Sequence, residues 1–352
     1  MDKILGFGLV GCGRISKKHF EAIKAIPDAA LVGLCDTDKQ ALNRNVSIYG
    51  GLGYTDYQEM LGNPEIDVVN ICTPSGLHAE LALAAIQAGK NVLIEKPMSM
   101  SLTEADKVIA AANQARVKLG VVHQNRFNHA VVKLRSALEQ GKFGKLTHAS
   151  AVVRWNRDDN YYAQAPWRGT WSQDGGCLMN QSIHNIDLLQ WMMGPVKSVF
   201  AYTATNLRKI EAEDVAVVVL KFANGSLATI EASTTIYPQN LEETLNVFGA
   251  TGTVVLGGKA VNKIEAWRFE GEDEAAVLDE QLREPPDVYG FGHTDLIADF
   301  VASVRNNSEP AVPGFEGRKA LEIILAIYHS VKFSKEITLP LQENFTIGME
   351  RL

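Results

Sequence analysis

Short apolar runs alternate with amphipathic segments over the first third of the chain. The apolar runs predict β-strands at 4–10, 30–35, 68–72, 91–94 and 119–122. Between these runs, apolar residues recur at helical spacing at 17–25, 77–87 and 103–115. Strands that alternate with helices in this way are typical of a parallel sheet that carries helices on both faces.

After about residue 145 the pattern changes to longer, often alternating strands without intervening helices. These strands are predicted at 146–154, 196–205, 215–222, 226–237 and 244–249. Asn224-Gly225 is a hairpin signal between two of them. The pattern predicts a large, mostly antiparallel open sheet, with one face packed and the other left for a ligand or another subunit.

Two amphipathic helices are predicted near the C-terminus, at 290–305 and 317–333, and the charged stretch 270–284 is predicted to be a solvated loop or an edge strand. We therefore expect an α/β protein of two domains, over residues 1–123 and 124–352. Packing of the C-terminal helices back on the first domain is one arrangement that the pattern leaves open.

Composition narrows the classes of function. The 352 residues are 46% apolar and 21% charged, and the net charge is −7. An acidic chain lacks the basic field of a general nucleic-acid or membrane-surface binder, so an anionic ligand needs a local cationic patch. We find no signal peptide and no apolar run of about 18 residues, and we expect a cytoplasmic protein. The four cysteines show no metal-type pairing, so neither disulfides nor a metal site are expected.

The turn after the first predicted strand has the pattern of a phosphate-binding loop. Gly11 suits a tight turn, Gly13 allows close backbone approach to a pyrophosphate, and Ser16 is small enough for the next helix to pack on the strand. The amides at the start of that helix would face the phosphates. This context predicts a Rossmann domain that binds a dinucleotide.

Asp36 ends the second predicted strand, where a carboxylate can accept hydrogen bonds from the adenosine ribose. Its charge would repel a 2′-phosphate, so we expect NAD rather than NADP. Arg14 leaves two alternatives open. Its guanidinium could lie over the adenine or, against the preference set by Asp36, contact a 2′-phosphate.

Two further motifs carry a resemblance to a known family. The sequence reads NICTPSGLH over residues 70–78 and VLIEKP over residues 92–97. With the glycine loop, these motifs resemble the Gfo/Idh/MocA family of sugar and inositol dehydrogenases. The resemblance implies a Rossmann domain followed by an α/β domain with a large antiparallel sheet. It also implies an NAD site that includes Gly11, Gly13, Arg14, Ile15, Asp36, Thr73, Pro74, Ser75, His78, Glu95, Lys96, Gln124, Trp167 and Arg168.

The same resemblance implies that Lys96 lies beside the nicotinamide ribose and the reacting hydroxyl. A partly desolvated ammonium there can polarise the hydroxyl and relay its proton. The second family motif corresponds to DGGCLMNQSIHNID over residues 174–187. Helical spacing predicts that Asn180 and His184 share one face, with Asp187 on the next turn.

Many relatives carry aspartate where this chain has Asn180. An amide can orient a hydroxyl but cannot hold the negative charge that would raise the basicity of His184. We therefore expect Lys96 and His184 to share the acid–base work, with either group able to take the proton, and Asn180 to complete the catalytic set.

The stretch from Arg154 to Trp171 holds three of the five tryptophans and three arginines. Aromatic faces suit sugar and base planes, and guanidinium groups suit phosphate and carboxylate. Two alternatives remain open here: Arg154 and Arg157 pair with Asp158, Asp159 or Asp174 while the tryptophans fill the domain junction, or Trp167-Arg168 contacts the cofactor.

Taken with residues 174–187, this stretch is similar to the WlbA/WbpB branch of the family. That resemblance implies oxidation of the 3″-hydroxyl of UDP-N-acetyl-glucosaminuronic acid with NAD, in the synthesis of bacterial surface polysaccharide. The predicted substrate-binding residues are Lys96, Arg154, Arg157, Tyr161, Asn180, Gln181 and His184.

Two rival functions remain: an inositol or simple-sugar dehydrogenase of the same family, and a non-catalytic NAD-binding regulator. The predicted partners are a nucleotide-sugar substrate and further copies of the chain, because the strands at 215–237 leave a sheet face that is costly to expose. We expect a dimer or a tetramer.

Overall fold

The computed structural model describes residues 3–278, 285 and 287–342. The chain divides into two compact units. Unit 1 comprises Met1–His123 and His293–Arg318, and unit 2 comprises Gln124–Gly292 and Lys319–Leu352.

Unit 1 is built around a six-stranded sheet. Its strands are β1 (Leu5–Val10), β2 (Ala29–Cys35), β3 (Leu52–Tyr54), β4 (Val68–Ile71), β5 (Asn91–Ile94) and β6 (Leu119–Val121). The helices between them are α1 (Ser16–Ala25), α2 (Lys39–Tyr49), α3 (Tyr57–Leu61), α4 (His78–Gln87) and α5 (Leu102–Ala115). All strands are parallel in the order β3-β2-β1-β4-β5-β6, which is the order of a Rossmann sheet. Every residue of β1 and β4 is buried, so their apolar runs are continuous rather than alternating.

The sequence pattern missed α2, β3 and α3. Strand β3 has three residues, and two of them are exposed, so it lacks an apolar run. Asp38 and Asp56 directly precede α2 and α3, and their carboxylates accept hydrogen bonds from backbone amides in the first turn of each helix. These capping aspartates could have predicted the two helices, which the hydrophobic periodicity did not indicate.

Unit 2 is built around an eight-stranded sheet. Its strands are β7 (Leu146–Arg154), β8 (Val196–Ala204), β9 (Val215–Phe222), β10 (Leu227–Ser233), β11 (Glu242–Gly249), β12 (Gly252–Gly257), β13 (Lys263–Phe269) and β14 (Ile337–Thr338). Its helices include α6 (His129–Glu139), α7 (Asp159–Ala163), α8 (Ile183–Met193) and α9 (Glu274–Leu278), with a π-helix at Cys177–Ser182. The helices α10 (Gly292–Asn306) and α11 (Gly314–Phe333) follow, and the division between the units falls within α11.

The strand order in unit 2 is β13-β12-β11-β7-β10-β9-β8-β14. Only the β7–β10 pair is parallel among the described strands of this sheet. The predicted fold class, a parallel Rossmann sheet followed by a large, mostly antiparallel open sheet, is confirmed. Among the described residues, no helix combines the length and apolar character that crossing a membrane requires.

Three predictions for unit 2 differ from the structure. The strands after residue 145 were predicted to follow one another without intervening helices, but α7, the π-helix and α8 lie between β7 and β8. The strand predicted over 226–237 ends at Ser233, because the Ser233 hydroxyl accepts a hydrogen bond from the Thr235 amide and turns the chain. Within the charged stretch 270–284, residues 274–278 form α9, where Asp273 accepts a hydrogen bond from the Ala275 amide. Residues 279–284 of that prediction lie outside the described residues.

A buried ion pair connects the start of unit 2 to α8. Arg126, in the 3₁₀ turn Gln124–Phe127, donates from Nε and Nη2 to the two carboxylate oxygens of Asp187, at 2.7 and 2.6 Å. The Arg126 side chain is 4% exposed and that of Asp187 is 1% exposed. The Arg126 guanidinium also lies 4.8 Å from the ring centre of Trp191. Asp187, which the sequence placed one turn beyond His184, is therefore held by an ion pair.

Replacement of Arg126 by methionine should lower the free energy of unfolding by about 3–5 kcal/mol, because it leaves a buried carboxylate without its main counter-charge. Arg318→Met, which removes the more exposed Arg318–Asp106 pair of unit 1, should cost less than about 1 kcal/mol. Urea unfolding followed by circular dichroism measures both. Equal losses of unfolding free energy in the two variants would contradict the conclusion that the buried Arg126–Asp187 pair matters more to stability than the exposed Arg318–Asp106 pair.

Candidate functional site

The glycine loop joins β1 to α1 and gives its two glycines different tasks. Gly11 has φ +94°, and a Cβ atom there would lie 2.7 Å from the Cys72 carbonyl oxygen. A side chain at Gly11 would therefore disturb both the turn and its packing on the end of β4. A Cβ atom at Gly13 would meet no atom within 4 Å. The space beside Gly13 is thus open to the approach of a ligand.

The surroundings of this loop fit the phosphates and ribose of a dinucleotide. No side chain caps the N-terminus of α1, which leaves its first amides for a ligand. Asp36 follows β2, and its carboxylate accepts hydrogen bonds from the Cys12 and Asp38 amides, at 2.7 and 2.8 Å. Each oxygen keeps a further lone pair, so the fixed carboxylate can still accept from ribose hydroxyls. Arg14 is exposed, whereas Ile15 packs against the core beneath the loop.

The segment after β4 is tied to the segment after β5 by His78. Its imidazole is 1% exposed, with Nδ1 2.7 Å from the Pro97 carbonyl oxygen and Nε2 2.9 Å from that of Thr73. Burial lowers the pKa of His78, although both carbonyls oppose this shift. The predicted cofactor residues Thr73, Pro74 and Ser75 lie in this turn, and the His78 side chain is used to join the two segments.

Glu95 lies at the centre of a buried polar network in unit 1. One of its carboxylate oxygens is 2.8 Å from His19 Nε2 and 3.9 Å from His293 Nε2, and the other accepts a hydrogen bond from the Lys96 amide. His19 Nδ1 in turn lies 3.0 Å from the Asn70 amide nitrogen. The Glu95 carboxylate thus joins α1 to the segment after β5, and its predicted role in cofactor binding stays a prediction.

Ionisation of Glu95 is favoured by its neighbours. Burial alone would raise its pKa, but the hydrogen bond and charge of His19, with the charges of His293 and Lys96, lower the pKa to about 2. Among the described residues, His19, Glu95 and His293 are also a grouping whose potential metal-ligand atoms all lie within 4.8 Å of one another. We assign them as a hydrogen-bonded polar network, because the His19–Glu95 distance is that of a hydrogen bond.

The second motif lies in unit 2 and begins with a π-helix rather than an α-helix. Asn180 is in the π-helix Cys177–Ser182, and His184 is in the first turn of α8. The junction between the π-helix and α8 therefore lies between the two residues, and the shared face predicted for them stays a prediction. Single π turns of this kind occur frequently at functional sites.

Asn180 is oriented by a buried acid that the sequence analysis did not assign to the site. Its amide group donates to Asp174, whose other carboxylate oxygen accepts from the Gly169 amide at 2.7 Å. The Asn180 carbonyl oxygen accepts from Gln181 Nε2 at 2.6 Å. A carboxylate is therefore present next to Asn180, to which one hydrogen bond joins it.

A second buried acid, Glu213, fixes the start of the π-helix. Its carboxylate accepts hydrogen bonds from the Leu178 amide at 2.9 Å and from the Tyr328 hydroxyl at 3.1 Å. A Cβ atom at Gly176 would lie 2.2 Å from this carboxylate, so only glycine allows so close an approach. Burial raises the pKa of Glu213 to about 7.

The aromatic and arginine-rich stretch surrounds Tyr161. The Tyr161 hydroxyl accepts hydrogen bonds from Arg168 Nη1 at 2.6 Å and from Gln181 Nε2 at 3.1 Å. The guanidinium groups of Arg157 and Arg168 lie 5.2 and 4.3 Å from the centre of its ring. Tyr161, Gln181, Asn180 and both arginines thus form one connected cluster, in which Arg168 also stacks on Trp167.

Arg154 does not belong to that cluster. Its guanidinium donates to Glu231, at 2.6 Å from Nε, and to Glu242 on the neighbouring strand. The aspartates considered as its partners have other tasks, such as the capping of α7 by Asp158. Two carboxylates on one guanidinium leave surplus negative charge, which disfavours an anion at Arg154.

The sequence analysis missed several residues that organise the site: His19, Asn70, Asp174, Glu213 and His293. One signal was available for His19. It occurs on the apolar face of α1 with buried neighbours at 16, 20 and 23, and a polar residue on such a face needs a buried partner. Gln124, a predicted cofactor residue, is 2% exposed and donates weakly to Asn125.

Glu213 gives a prediction about pH. Because its pKa in the folded protein exceeds the ordinary value of 4.5, its contribution to stability is complete below pH 4.5 and is lost as pH rises through about 7. At about 1.4 kcal/mol per pKa unit, the loss is roughly 3 kcal/mol. Glu213→Gln should flatten this decline in the free energy of unfolding between pH 5 and 8.

His78, whose pKa is lowered, changes the free energy of unfolding with pH in the opposite direction. This contribution is the same in the wild type and in Glu213→Gln, so it cancels when the two are compared. Replacement of the exposed Glu270 by glutamine provides the control and should leave the slope unchanged. An unaltered slope in Glu213→Gln would show that Glu213 is ionised throughout this range.

Comparisons with known proteins identify a family for both parts of the chain. Residues 5–123 match the model of an oxidoreductase family with an NAD-binding Rossmann fold, and residues 131–255 match the Gfo/Idh/MocA C-terminal domain. Among curated proteins, the myo-inositol 2-dehydrogenase of Thermotoga maritima is 29% identical over 94% of this chain and 98% of its own length.

Two solved structures are more similar in sequence. The WlbA dehydrogenase from Bordetella pertussis, in complex with NADH and UDP-GlcNAcA, is 40% identical, with a TM-score of 0.89 over 97% of this chain and 99% of that one. The WlbA dehydrogenase from Chromobacterium violaceum, with the same ligands, is 38% identical, with a TM-score of 0.90 over 97% and 98% of the two chains. The predicted family and the predicted cofactor are both confirmed. The chain belongs to the Gfo/Idh/MocA family of oxidoreductases, and its first unit is an NAD-binding Rossmann domain.

Proposed function

We propose that this protein oxidises the 3″-hydroxyl of a UDP-N-acetyl-glucosaminuronic acid-type nucleotide sugar with NAD, in the synthesis of bacterial surface polysaccharide. The observation that carries the proposal is the cluster around Tyr161, where Arg168 forms no ion pair with any described residue. A guanidinium without a carboxylate partner suits a substrate that brings its own negative charge. The two WlbA complexes, which contain UDP-GlcNAcA, support this choice.

The proposed mechanism divides the work between the two units. NAD, when bound at the glycine loop, supplies the acceptor for the hydride from the sugar carbon. Lys96 and His184 remove the proton of the reacting hydroxyl, and Asn180 and Gln181 orient the ring. Asp174 holds the Asn180 amide, and Asp36, itself fixed by the Cys12 amide, would accept hydrogen bonds from the ribose hydroxyls of the bound cofactor.

A second candidate is the oxidation of an inositol or a simple sugar. It is favoured by the curated relatives, which include inositol dehydrogenases at 28–29% identity over 94–95% of this chain. Such neutral substrates offer no charge to Arg168, which is why we place this candidate second. A non-catalytic NAD-binding regulator is the third, and it gives no turnover with any substrate.

We also propose that the protein forms a homo-oligomer, either a dimer or a tetramer. Strand β9 alternates buried and exposed residues, and Val217 and Val219 are 54% and 50% exposed on its open face. Tyr202 and Leu227, on the neighbouring strands β8 and β10, are 72% and 55% exposed. Apolar side chains on three adjacent strands favour a covering partner. A cytoplasmic location also stays a prediction.

The proposal is tested by measurement of NADH formation from NAD with UDP-GlcNAcA, UDP-GlcNAc, myo-inositol and glucose. We expect turnover with UDP-GlcNAcA to exceed that with both neutral small substrates. Lys96→Ala and His184→Ala should each lower kcat by about 10²–10⁴-fold, because a positioned acid–base group contributes that much. Preference for myo-inositol, or near-normal turnover in both variants, would refute the proposal.

The two glycines of the loop separate folding from cofactor binding. Gly13→Ala should weaken NADH binding with little change in the melting temperature, because a Cβ atom there meets only the space left for the ligand. Gly11→Ala should lower the melting temperature itself, through its φ of +94° and its contact with Cys72. Fluorescence titration with NADH and thermal unfolding measure the two effects. Equal thermal losses would contradict this division.

A further inference from the structure

We propose that Arg208, together with Arg157 and Arg168, forms an oxyanion-binding subsite in unit 2 that receives an anionic group of the nucleotide sugar. The inference rests on the proposed function for the identity of that ligand. Its chemistry is that of a phosphate or carboxylate held by guanidinium groups. Arg208 lies outside every motif that the sequence analysis singled out.

The Arg208 guanidinium is held at the protein surface by neutral acceptors alone. Its Nη2 donates to the Thr234 carbonyl oxygen at 3.2 Å and to Asn156 Oδ1 at 3.4 Å. Its Nε is buried without a hydrogen-bond partner, and no described carboxylate lies within ion-pair distance of the group. A half-buried guanidinium in this state gains from a bound anion more than an exposed one does.

The backbone that presents Arg208 is fixed by a buried acid. Asp214 accepts hydrogen bonds from the amides of Asn206, Leu207 and Arg208, at 2.9, 2.7 and 2.9 Å. Asp214 is fully buried, so its charge is satisfied by these amides in the interior. The loop after β8 is therefore a built support for the arginine rather than a loose surface segment.

The three arginines are linked through two residues. Arg157 Nη1 donates to the Asn156 carbonyl oxygen at 2.6 Å, and Arg208 contacts the side chain of that same residue. Arg157 and Arg168 both lie against the ring of Tyr161. These contacts run from Arg208 through Asn156, Arg157 and Tyr161 to Arg168. They thus join three cations in one connected cluster.

Glu243, a buried acid whose charge acts on Arg157, does not offset the charge of that arginine at neutral pH. Burial raises the pKa of Glu243 to about 8, against the opposing charge of Arg157, so its carboxyl group is mostly protonated at pH 7. The chain has a net charge of −7, so a cluster of three arginines is a local concentration of positive charge. Gln181 Nε2 donates to Tyr161, which connects the cluster to the residues proposed to orient the sugar.

The test is calorimetric binding to the full-length chain with NADH present, with UDP-GlcNAcA, UDP-GlcNAc and inorganic pyrophosphate as probes. Arg208→Gln should weaken UDP-GlcNAcA binding by about 10- to 100-fold, the usual effect of one charge-assisted hydrogen-bonding group. Arg208→Lys, which keeps the charge, should recover part of this loss. The control, Arg268→Gln, removes an exposed arginine of the same unit and should change binding by less than about 2-fold.

Arg154→Gln should weaken binding by less than Arg208→Gln, because Glu231 and Glu242 already offset the Arg154 charge. An equal Arg208→Gln loss for UDP-GlcNAcA, UDP-GlcNAc and pyrophosphate would assign the subsite to the diphosphate. A loss confined to UDP-GlcNAcA would assign it to the uronate carboxylate. Both outcomes support the inference.

Unchanged binding of all three probes by Arg208→Gln, with NADH affinity intact, would overturn the inference, as would a larger loss in Arg154→Gln. Failure of the proposed function is a separate result. A wild-type protein that binds these anions through Arg208 but forms no NADH from UDP-GlcNAcA would retain the subsite and lose the assigned reaction.

Discussion

The hydrogen bond from the Leu178 amide to the buried carboxyl group of Glu213 holds the start of the π-helix on which the candidate chemistry of unit 2 depends. The first amides of a helix have no partner within the helix, and here a side chain from the segment before β9 provides one. Gly176 permits the close approach, and Asp174 then orients Asn180 at the other side of the same turn. Both acids are buried, and their hydrogen bonds fix the backbone that carries Asn180 and Gln181.

Unit 1 also contains a buried acid that fixes its neighbours, but the pKa of this acid is shifted in the opposite direction. Glu95 is buried like Glu213, but two histidines and the Lys96 backbone surround it, and its pKa falls to about 2 while that of Glu213 rises to about 7. Burial is common to both, so the sign of the shift is decided by the neighbours. A buried acid whose neighbours favour its ionised form has a lowered pKa, whereas a buried acid for which desolvation outweighs its hydrogen bonds has a raised pKa.

The arginines of unit 2 show why a charge in the sequence does not by itself define a binding site. Arg154 and Arg208 both lie near the candidate site in the sequence or the fold, yet Arg154 is matched by two glutamates and Arg208 by none among the described residues. Whether an arginine can bind an anionic ligand depends on whether carboxylates already pair with its guanidinium group. The three-dimensional pairing therefore changes which arginines the proposed substrate would meet.

The sequence by itself determined the parallel sheet of unit 1, the glycine loop with Asp36, and the large, mostly antiparallel sheet, because strand periodicity and turn chemistry are local properties. It also located Lys96, Asn180 and His184 through family motifs. Only the tertiary structure decided the π turn at Cys177–Ser182, the pairing of His19 with Glu95 across 76 residues, and the arginines left without carboxylates. These features arise from contacts between segments distant in the chain, and such contacts leave no periodic signal in the sequence.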